Sequence, residues 1–210
     1  DPSKSRGLGD VYKRQTQEFG SGHAETVCLD EAGRKAQGAT LYVTLEPCSH
    51  SGKTGPCVER IIESRISRVV IGMKDPDRQV CGEGIKSLQN AGVDVVVGVL
   101  EDLVAEQLAP YVHHRNTGRP YVILKIATTL DGKVAAPDGS SQWITGPEAR
   151  REGHKLRAYS DAICVGRGTV ISDNPQLTVR DWSADDDIDK NLDPRRIVLG
   201  SVPAEAAIHP

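Results

Sequence analysis

Aromatic side chains are scarce in this chain of 210 residues, which contains one Phe, two Trp and five Tyr. So few rings offer little scope for stacking nucleic-acid bases on an aromatic platform. An excess of positive charge is also missing, because 26 Lys and Arg are outnumbered by 29 Asp and Glu. The formal net charge of −3 therefore provides no basic field to attract a phosphate backbone. The composition does not predict a nucleic-acid-binding protein.

Long apolar runs are absent as well. No stretch approaches the roughly 20 residues that a membrane-spanning helix needs, and no signal-peptide pattern opens the chain. The cysteine count of five is odd, and two of the five have the spacing of metal ligands, which favours a reducing compartment over a disulfide framework. We expect a cytoplasmic protein without a membrane partner. The remaining cysteines lie in or beside apolar runs and are predicted to be buried thiols: Cys28, Cys81 and Cys164.

What the sequence does contain is a pattern of metal ligands. His23-Ala24-Glu25 is followed by Pro47-Cys48 and, after eight more residues, by Cys57. One imidazole and two thiolates can bind Zn²⁺ and leave a fourth position for water, whose pKa the metal then lowers. Zinc nucleobase deaminases carry H-x-E followed by P-C-x-x-C, so this chain fits with a longer loop between its cysteines. We predict zinc ligation by His23, Cys48 and Cys57, with Glu25 as general acid and base.

Simpler interpretations of the same residues remain open. A structural zinc site would need a fourth protein ligand, and His50 is the nearby candidate. Glu25 could serve only as a carboxylate in the first turn of a helix. His50, Lys53 and Thr54, which lie between the two thiols, could contact substrate or simply be solvated.

Helical and strand patterns alternate along the chain, which predicts a mostly parallel sheet with helices on its faces. Apolar periodicity predicts the helices, and β-rich runs predict the strands. Helices are expected at 25–37, behind Pro56, at 82–91 and in the first half of 101–114; strands are expected at 39–45, 69–72 and 93–99.

A polar stretch at 115–120 is the best domain boundary. Beyond it the patterns predict a helix at 147–157 and strands at 121–127, 162–166 and 196–199. A Gly-rich loop is expected at 166–169 and an acidic loop at 181–194, and the tail to Pro210 has no evident packing partner.

The longer form of the first motif, T-L-E-P-C-S-H-x-G-x-T-x-P-C, is joined by a second set of motifs downstream. This set begins with K-I-A-T-T-L-D-G-K at 125–133 and ends with D-N-P-Q-L-T-V-R at 173–180. With both sets in this order, residues 20–201 resemble the bifunctional riboflavin-biosynthesis deaminase-reductase family. That family deaminates a diaminopyrimidine ribosyl phosphate and then reduces its ribose with NADPH.

The resemblance implies two domains, separated by a linker at 115–120. Residues 16–114 would form a cytidine-deaminase-like three-layer α/β/α domain that binds one Zn²⁺. Residues 121–210 would form part of a dihydrofolate-reductase-like α/β domain that binds NADPH. The resemblance also implies a small-molecule pyrimidine ribosyl phosphate as substrate, and a homo-oligomer for the intact enzyme.

Individual residues of the second domain acquire roles through the same resemblance. It implies substrate contacts from Ser141, Arg157, Leu177 and Arg180, and two arginines are chemically suited to clamp a phosphate. The sequence departs from the family at Gly200, where an aspartate is usual before Ser201. The cofactor contacts that the resemblance implies come from Ala127, Trp143, Thr169, Asp173 and Ser201.

Both ends of the chain also differ from the family pattern. Residues 1–15 resemble translated adapter read-through, and we exclude them from fold reasoning. The family's first helix and two strands, with a P-N-P-x-V-G motif, are not found, nor is the C-terminal part of the reductase. We therefore expect an open edge in the first sheet, association through that edge, and negligible reductase turnover.

Two further hypotheses compete with this interpretation. One is another zinc deaminase, acting for example on guanine or on a tRNA base; a tRNA enzyme would need a basic surface and would not carry the motifs at 125–180. The other is a non-catalytic zinc-binding module, whose function would survive Glu25→Gln.

Overall fold

The computed structural model describes residues 11–14, 21–50, 55–78, 80–180, 182 and 193–208. The chain divides into two compact units, Asp1–Val122 and Ile123–Pro210. Within the described residues, none of the helices combines the length and the apolar character needed to cross a membrane.

The first unit alternates helices with parallel strands. A short 3₁₀ helix, Gly33–Ala36, extends its first α-helix. In chain order the other elements are α1 (Ala24–Ala32), β1 (Thr40–Leu45), α2 (Cys57–Glu63), β2 (Arg68–Met73), α3 (Glu83–Asn90), β3 (Asp94–Val97), α4 (Glu101–Gln107) and α5 (Ala109–Thr117).

The three strands form one parallel sheet in the order β1-β2-β3, with Val43 opposite Ile71 and Ile71 opposite Val97. Successive side chains of a strand point to opposite faces. On β2, Val69 and Ile71 are fully buried in a core shared with the helices α1 to α3. The other members of this core are Leu29, Ala36, Leu41, Val58, Ile61, Ile66, Leu88 and Val93.

Helix α4 packs against the opposite face of β2. A Cβ atom built on Gly72 would lie 2.7 Å from Cγ2 of Val104 and 2.9 Å from the Thr44 carbonyl oxygen. Only glycine therefore allows α4 to pack this closely against the strand. With helices on both faces of the sheet, the unit has the three layers that the alternating pattern predicted.

The second unit contains α6 (Pro147–Ala158), β4 (Ala162–Gly166), α7 (Arg167–Asp173) and β5 (Arg195–Leu199). The strands β4 and β5 pair in parallel. A small core lies beside them, with Ile163, Val165, Val198 and Val202 partly buried at its edge. Its buried members are Val170, Leu177, Ala206 and Ile208.

Several local predictions were wrong. The stretch 121–127 is not a strand: its backbone is irregular, and Val122 and Leu124 are 82% and 80% exposed. Strand propensity cannot be realised without a neighbouring strand to accept the backbone hydrogen bonds. The predicted loop at 166–169 is instead the start of α7, with Gly166 as its N-cap.

The C-terminal tail also differs from expectation, because Ala206 and Ile208 are buried against Val170 and Leu177. The second half of 101–114 is helical, since Pro110 lies in the first turn of α5, where its missing N–H costs nothing. That helix extends to Thr117, into the predicted linker.

The cysteines outside the metal motif are less buried than predicted. Cys28 is half-buried, whereas Cys81 and Cys164 are exposed. The predicted acidic loop at 181–194 lies almost wholly outside the described residues.

Candidate functional site

The three predicted metal ligands meet in the first unit. His23, Cys48 and Cys57 each offer one ligand atom, and these atoms all lie within 4.8 Å of one another. The Nδ1 atom of His23 is 3.1 Å from Sγ of Cys57 and 3.5 Å from Sγ of Cys48. The backbone N–H of Cys57 donates a hydrogen bond to Sγ of Cys48 over 3.3 Å.

Local structure explains why residues so distant in sequence converge. His23 is the N-cap of α1, and Cys48 follows the C-terminal end of β1. Pro56 is the N-cap of α2, so Cys57 is the first residue of that helix. A backbone hydrogen bond from Val58 N–H to the Cys48 carbonyl joins two of these segments, and Val27 N–H donates to the His23 carbonyl as the first hydrogen bond of α1. The positions predicted for these residues in the helices and strand are confirmed.

The close packing of these side chains shifts the pKa values of the Cys48 thiol and the Glu25 carboxyl. A hydrogen bond from Cys57 lowers the pKa of Cys48, and the charge of His23 acts in the same direction. Burial raises the pKa of Glu25 above its usual value, while a backbone hydrogen bond and His23 oppose that rise. Glu25 lies in the first turn of α1, close enough to Cys57 for the thiol to influence the pKa of the carboxyl.

His50 does not join the group of ligands. Its side chain is exposed, and the metal-ligating set found among the described residues consists of one histidine and two cysteines. A three-ligand set of nitrogen and sulfur donors fits zinc, and it leaves one tetrahedral position without a protein ligand. Lys53 and Thr54, named as possible substrate contacts, lie outside the described residues.

Sequence reasoning missed Glu46, which comes two residues before Cys48. Its side chain is 3% exposed, and its two carboxylate oxygens accept three backbone hydrogen bonds. The donors are the N–H groups of Asp75 at 3.3 Å, Gly82 at 2.9 Å and Ile85 at 3.2 Å. A carboxylate between an apolar strand and a metal ligand was the only signal in the sequence that could have indicated this role.

In the second unit the structure brings Arg157 and Arg180 together. The guanidinium of Arg157 donates to the Thr178 carbonyl oxygen over 3.0 Å. Burial lowers the pKa of Arg157, and the charge of Arg180 lowers it further. The backbone N–H of Arg180 donates to Nδ1 of His154 over 3.0 Å. Two positive side chains held close together form a suitable place for an anion.

Trp143 is 70% exposed, and the guanidinium carbon of Arg150 lies 4.4 Å from the centre of its ring. The same guanidinium donates to the Thr145 carbonyl oxygen over 2.7 Å. Arg150 therefore ties the Trp143 loop to α6 by a cation–π contact and a hydrogen bond. Nothing in the sequence pattern had indicated this role for Arg150.

The other residues predicted to bind cofactor or substrate differ in backbone conformation and in solvent exposure. Leu177 has a left-handed backbone, φ 57°, and its side chain belongs to the small core, so a substrate contact would have to use its backbone groups. Gly200, next to Ser201, has φ 115°, a conformation that suits glycine better than the family's usual aspartate. Ala127 is partly buried, whereas Ser141, Thr169, Asp173 and Ser201 are exposed.

Two protein families match the chain in succession. The cytidine and deoxycytidylate deaminase zinc-binding region matches residues 5–73, and the RibD C-terminal domain matches residues 120–207. The first match contains all three ligands and Glu25, and the second contains the arginine pair. The match to the first family also extends over part of residues 1–15, which had been set aside as foreign.

The chain is also similar to curated riboflavin biosynthesis proteins. The riboflavin biosynthesis protein RibD of Aquifex aeolicus is 49% identical over 164 residues, which cover 78% of this chain and 46% of that protein. The Escherichia coli protein of the same name is 44% identical over 209 residues, covering 96% of this chain and 56% of the relative. The chain thus spans about half the length of the curated relatives it matches.

Solved structures of proteins of the same kind are similar to this chain as well. RibD of Acinetobacter baumannii superimposes with a TM-score of 0.79 at 42% identity, covering 90% of this chain and 54% of that one. A diaminohydroxyphosphoribosylaminopyrimidine deaminase/5-amino-6-(5-phosphoribosylamino)uracil reductase from Thermotoga maritima gives a TM-score of 0.77 at 43% identity, with coverages of 87% and 50%. The predicted fold, a cytidine-deaminase-like domain followed by part of a dihydrofolate-reductase-like domain, is confirmed: the chain joins a cytidine and deoxycytidylate deaminase zinc-binding region to a RibD C-terminal domain, and it is similar to riboflavin biosynthesis proteins RibD over most of its length.

Proposed function

We propose that the first unit catalyses the zinc-dependent hydrolytic deamination of 2,5-diamino-6-(5-phosphoribosylamino)pyrimidin-4(3H)-one. The observation that carries this proposal is the convergence of His23, Cys48 and Cys57 within 4.8 Å, beside Glu25. The activity named for the Thermotoga maritima relative supports the choice of a pyrimidine ribosyl phosphate over guanine or a tRNA base.

His23, Cys48 and Cys57 would hold the metal through one nitrogen and two sulfur atoms. Zinc bound there supplies Lewis-acid activation of water at its remaining position. Glu25, at the start of α1 and next to a ligand, accepts the proton of the attacking water. Glu25 passes this proton to the ring as the oxygen bonds to the amine-bearing ring carbon. It then transfers the second proton of the water, from the new hydroxyl group, to the amine, so that the carbon–nitrogen bond breaks and ammonia departs.

The second unit would bind NADPH and the phosphate of the deaminated product, whose ribose the intact enzyme reduces to a ribityl group. The match to the RibD C-terminal domain and the close pair of Arg157 and Arg180 support this part of the proposal. Ser141 and Leu177 would complete the substrate contacts, and the proposed cofactor contacts are Ala127, Trp143, Thr169, Asp173 and Ser201.

The setting of the reaction is part of the same proposal. We place the enzyme in the cytoplasm, because Cys48 and Cys57 must remain thiolates to bind metal. Its partners would be small molecules and further copies of the chain. Association of copies is supported by β1, which lies at one end of the described sheet and exposes 74% of Tyr42.

Glu25→Gln tests the deaminase directly. The variant should bind zinc as the parent does but release ammonia from the diaminopyrimidine substrate at least about 10²–10⁴-fold more slowly, because the positioned proton carrier is gone. Glu59→Gln, which changes an exposed carboxylate on α2, is the matched control and should retain parental turnover. Parental turnover in Glu25→Gln would remove Glu25 from the mechanism, whereas a parent chain that binds zinc but releases no ammonia would favour the non-catalytic zinc module.

A further inference from the structure

The buried carboxylate of Glu46 connects the metal centre to α3. It lies just beyond β1, on the segment that carries Cys48, yet all three of its hydrogen-bond donors belong to residues 75–85. One oxygen accepts from Asp75 and Gly82, and the other accepts from Ile85. A carboxylate in this position joins two segments that are 29 to 39 residues apart in the sequence.

The contact with α3 is directed at the start of the helix. Gly82 is its N-cap and Ile85 lies in its first turn, and no side chain of the N-cap itself supplies a capping hydrogen bond. The first backbone N–H groups of a helix have no partner within the helix. Glu46 therefore caps α3 from outside, with the sign of charge that the start of a helix favours.

Close packing reinforces the same junction. A Cβ atom on Gly84 would lie 2.1 Å from the Pro47 carbonyl oxygen and 3.2 Å from Oε1 of Glu46. Pro47 is itself among the most completely buried residues of the chain. The backbone immediately before Cys48 is thus held between a hydrogen-bonded carboxylate on one residue and a close helix contact on the next.

We propose that Glu46 is a positioning residue for the metal centre: by capping α3 it fixes the Pro47–Cys48 segment and so presets the Cys48 thiolate for zinc. The inference rests on the proposed function, since it gives that site a second layer of support. Hydrogen-bonded groups behind metal ligands commonly contribute about 10-fold to 100-fold to metal affinity. Here the supporting group would act through the backbone, two residues from the ligand.

Glu46→Gln in the 210-residue chain tests the idea. The amide keeps the shape of the side chain but presents an NH₂ group where the carboxylate accepted a backbone N–H, so at least one of the three hydrogen bonds is lost. The metal-free proteins are titrated with Zn²⁺ against a competing chelator, and unfolding in urea is measured in parallel. Zinc should bind about 10-fold to 100-fold more weakly to the variant.

Tyr111→Phe is the matched control. It removes a hydrogen bond to Asp75, whose backbone N–H is one of the three donors, but it leaves Glu46 and all its donors in place. Its zinc affinity should stay within about twofold of the parent even where its stability falls. Amide hydrogen exchange at Gly82 and Ile85 adds a second readout and should accelerate in Glu46→Gln only.

Each outcome has a definite meaning. Parental zinc affinity in Glu46→Gln, or equal losses in both variants, would overturn the positioning role and leave the proposed function standing. A parent chain that takes up no zinc would overturn the proposed function together with this inference. Should Glu46→Gln not fold, Glu46→Asp retains the charge on a shorter side chain; folded Glu46→Asp with parental zinc affinity would overturn the inference, and weaker binding would support it.

Discussion

The phenol of Tyr111 donates a hydrogen bond shared by both carboxylate oxygens of Asp75, at distances of 2.9 and 3.1 Å. Asp75 is 5% exposed, and its Oδ1 also accepts the backbone N–H of Asp77 over 2.8 Å. The guanidinium of Arg115 lies over the Tyr111 ring and pairs with Asp77. This cluster fastens α5 to the turn that supplies a donor to Glu46.

Tyr111→Phe should therefore destabilise the first unit. Removing the hydroxyl leaves a buried carboxylate short of a donor, which costs about 1–3 kcal/mol in the free energy of unfolding. Urea unfolding followed by circular dichroism measures the loss. Tyr42→Phe, on an exposed position of β1, should change stability by less than about 0.5 kcal/mol. Equal stability of Tyr111→Phe and the parent would show that the hydrogen bond from Tyr111 to Asp75 makes no net contribution to the free energy of unfolding.

The same pair predicts a dependence of stability on pH. Burial, followed by the hydrogen bond to Asp75, raises the pKa of Tyr111 from 10.0 to about 12. The protonated phenol is thus favoured in the folded state, so its contribution is complete below about pH 10 and is lost as the pH rises through about 12. The stability difference between the parent and Tyr111→Phe should shrink from pH 8 to pH 11. A constant difference across that interval would contradict the prediction.

Removing one ligand should empty the metal site. The chain as a whole should contain about one zinc per molecule, and Cys57→Ala much less, because two remaining ligands hold zinc poorly. Metal analysis of the purified proteins gives the ratio directly. Cys164→Ala, which changes an exposed thiol on β4 in the other unit, is the control and should keep parental zinc. Full zinc in Cys57→Ala would require a different ligand set.

Gly84→Ala tests the close contact between α3 and the ligand segment. Alanine within a helix is normally favoured over glycine by about 0.5–1 kcal/mol, but here the new methyl group would lie 2.1 Å from a backbone oxygen. Overpacking of this kind typically costs about 1–3 kcal/mol, so the clash should prevail and lower stability. A lower unfolding temperature in thermal melts would confirm this.

Gly153→Ala provides the comparison, because Gly153 lies inside α6 and its nearest neighbour to a new Cβ would be 3.9 Å away. This variant should be neutral or slightly stabilising. The prediction fails if both alanine variants raise the unfolding temperature.

Phosphate should stabilise the second unit through the arginine pair. A ligand that binds only the folded state adds RT ln(1 + [L]/Kd), about 1.4 kcal/mol at ten times its dissociation constant. Thermal melts in phosphate and in NaCl of equal ionic strength separate specific binding from screening. Arg157→Met should abolish the difference, and Arg151→Met, an exposed position on the same helix, should retain it. A phosphate effect that survives in Arg157→Met would remove Arg157 from the anion site.

Predictions from local sequence were most accurate around the candidate metal site and the helices and strand that carry its residues. The helical spacing of apolar residues after His23, Pro56 before Cys57 and the β-rich run ahead of Pro47 each specify a local conformation, and each appeared as predicted. Failure was greatest at 121–127, where β-propensity alone predicted a strand. A strand depends on hydrogen bonds from a neighbour that the propensity of its own residues cannot supply.

The sequence by itself indicated the candidate metal ligands, the alternation of helix and strand, and the resemblance to a family, because ligand chemistry and periodicity are properties of short stretches. Only the tertiary structure decided that Glu46 caps α3, that the charge of Arg180 acts on Arg157, and that Ala206 and Ile208 complete a core. These relationships join residues far apart in the chain. They depend on which backbone groups and charges are brought together once the helices and strands have packed, and no local pattern encodes that.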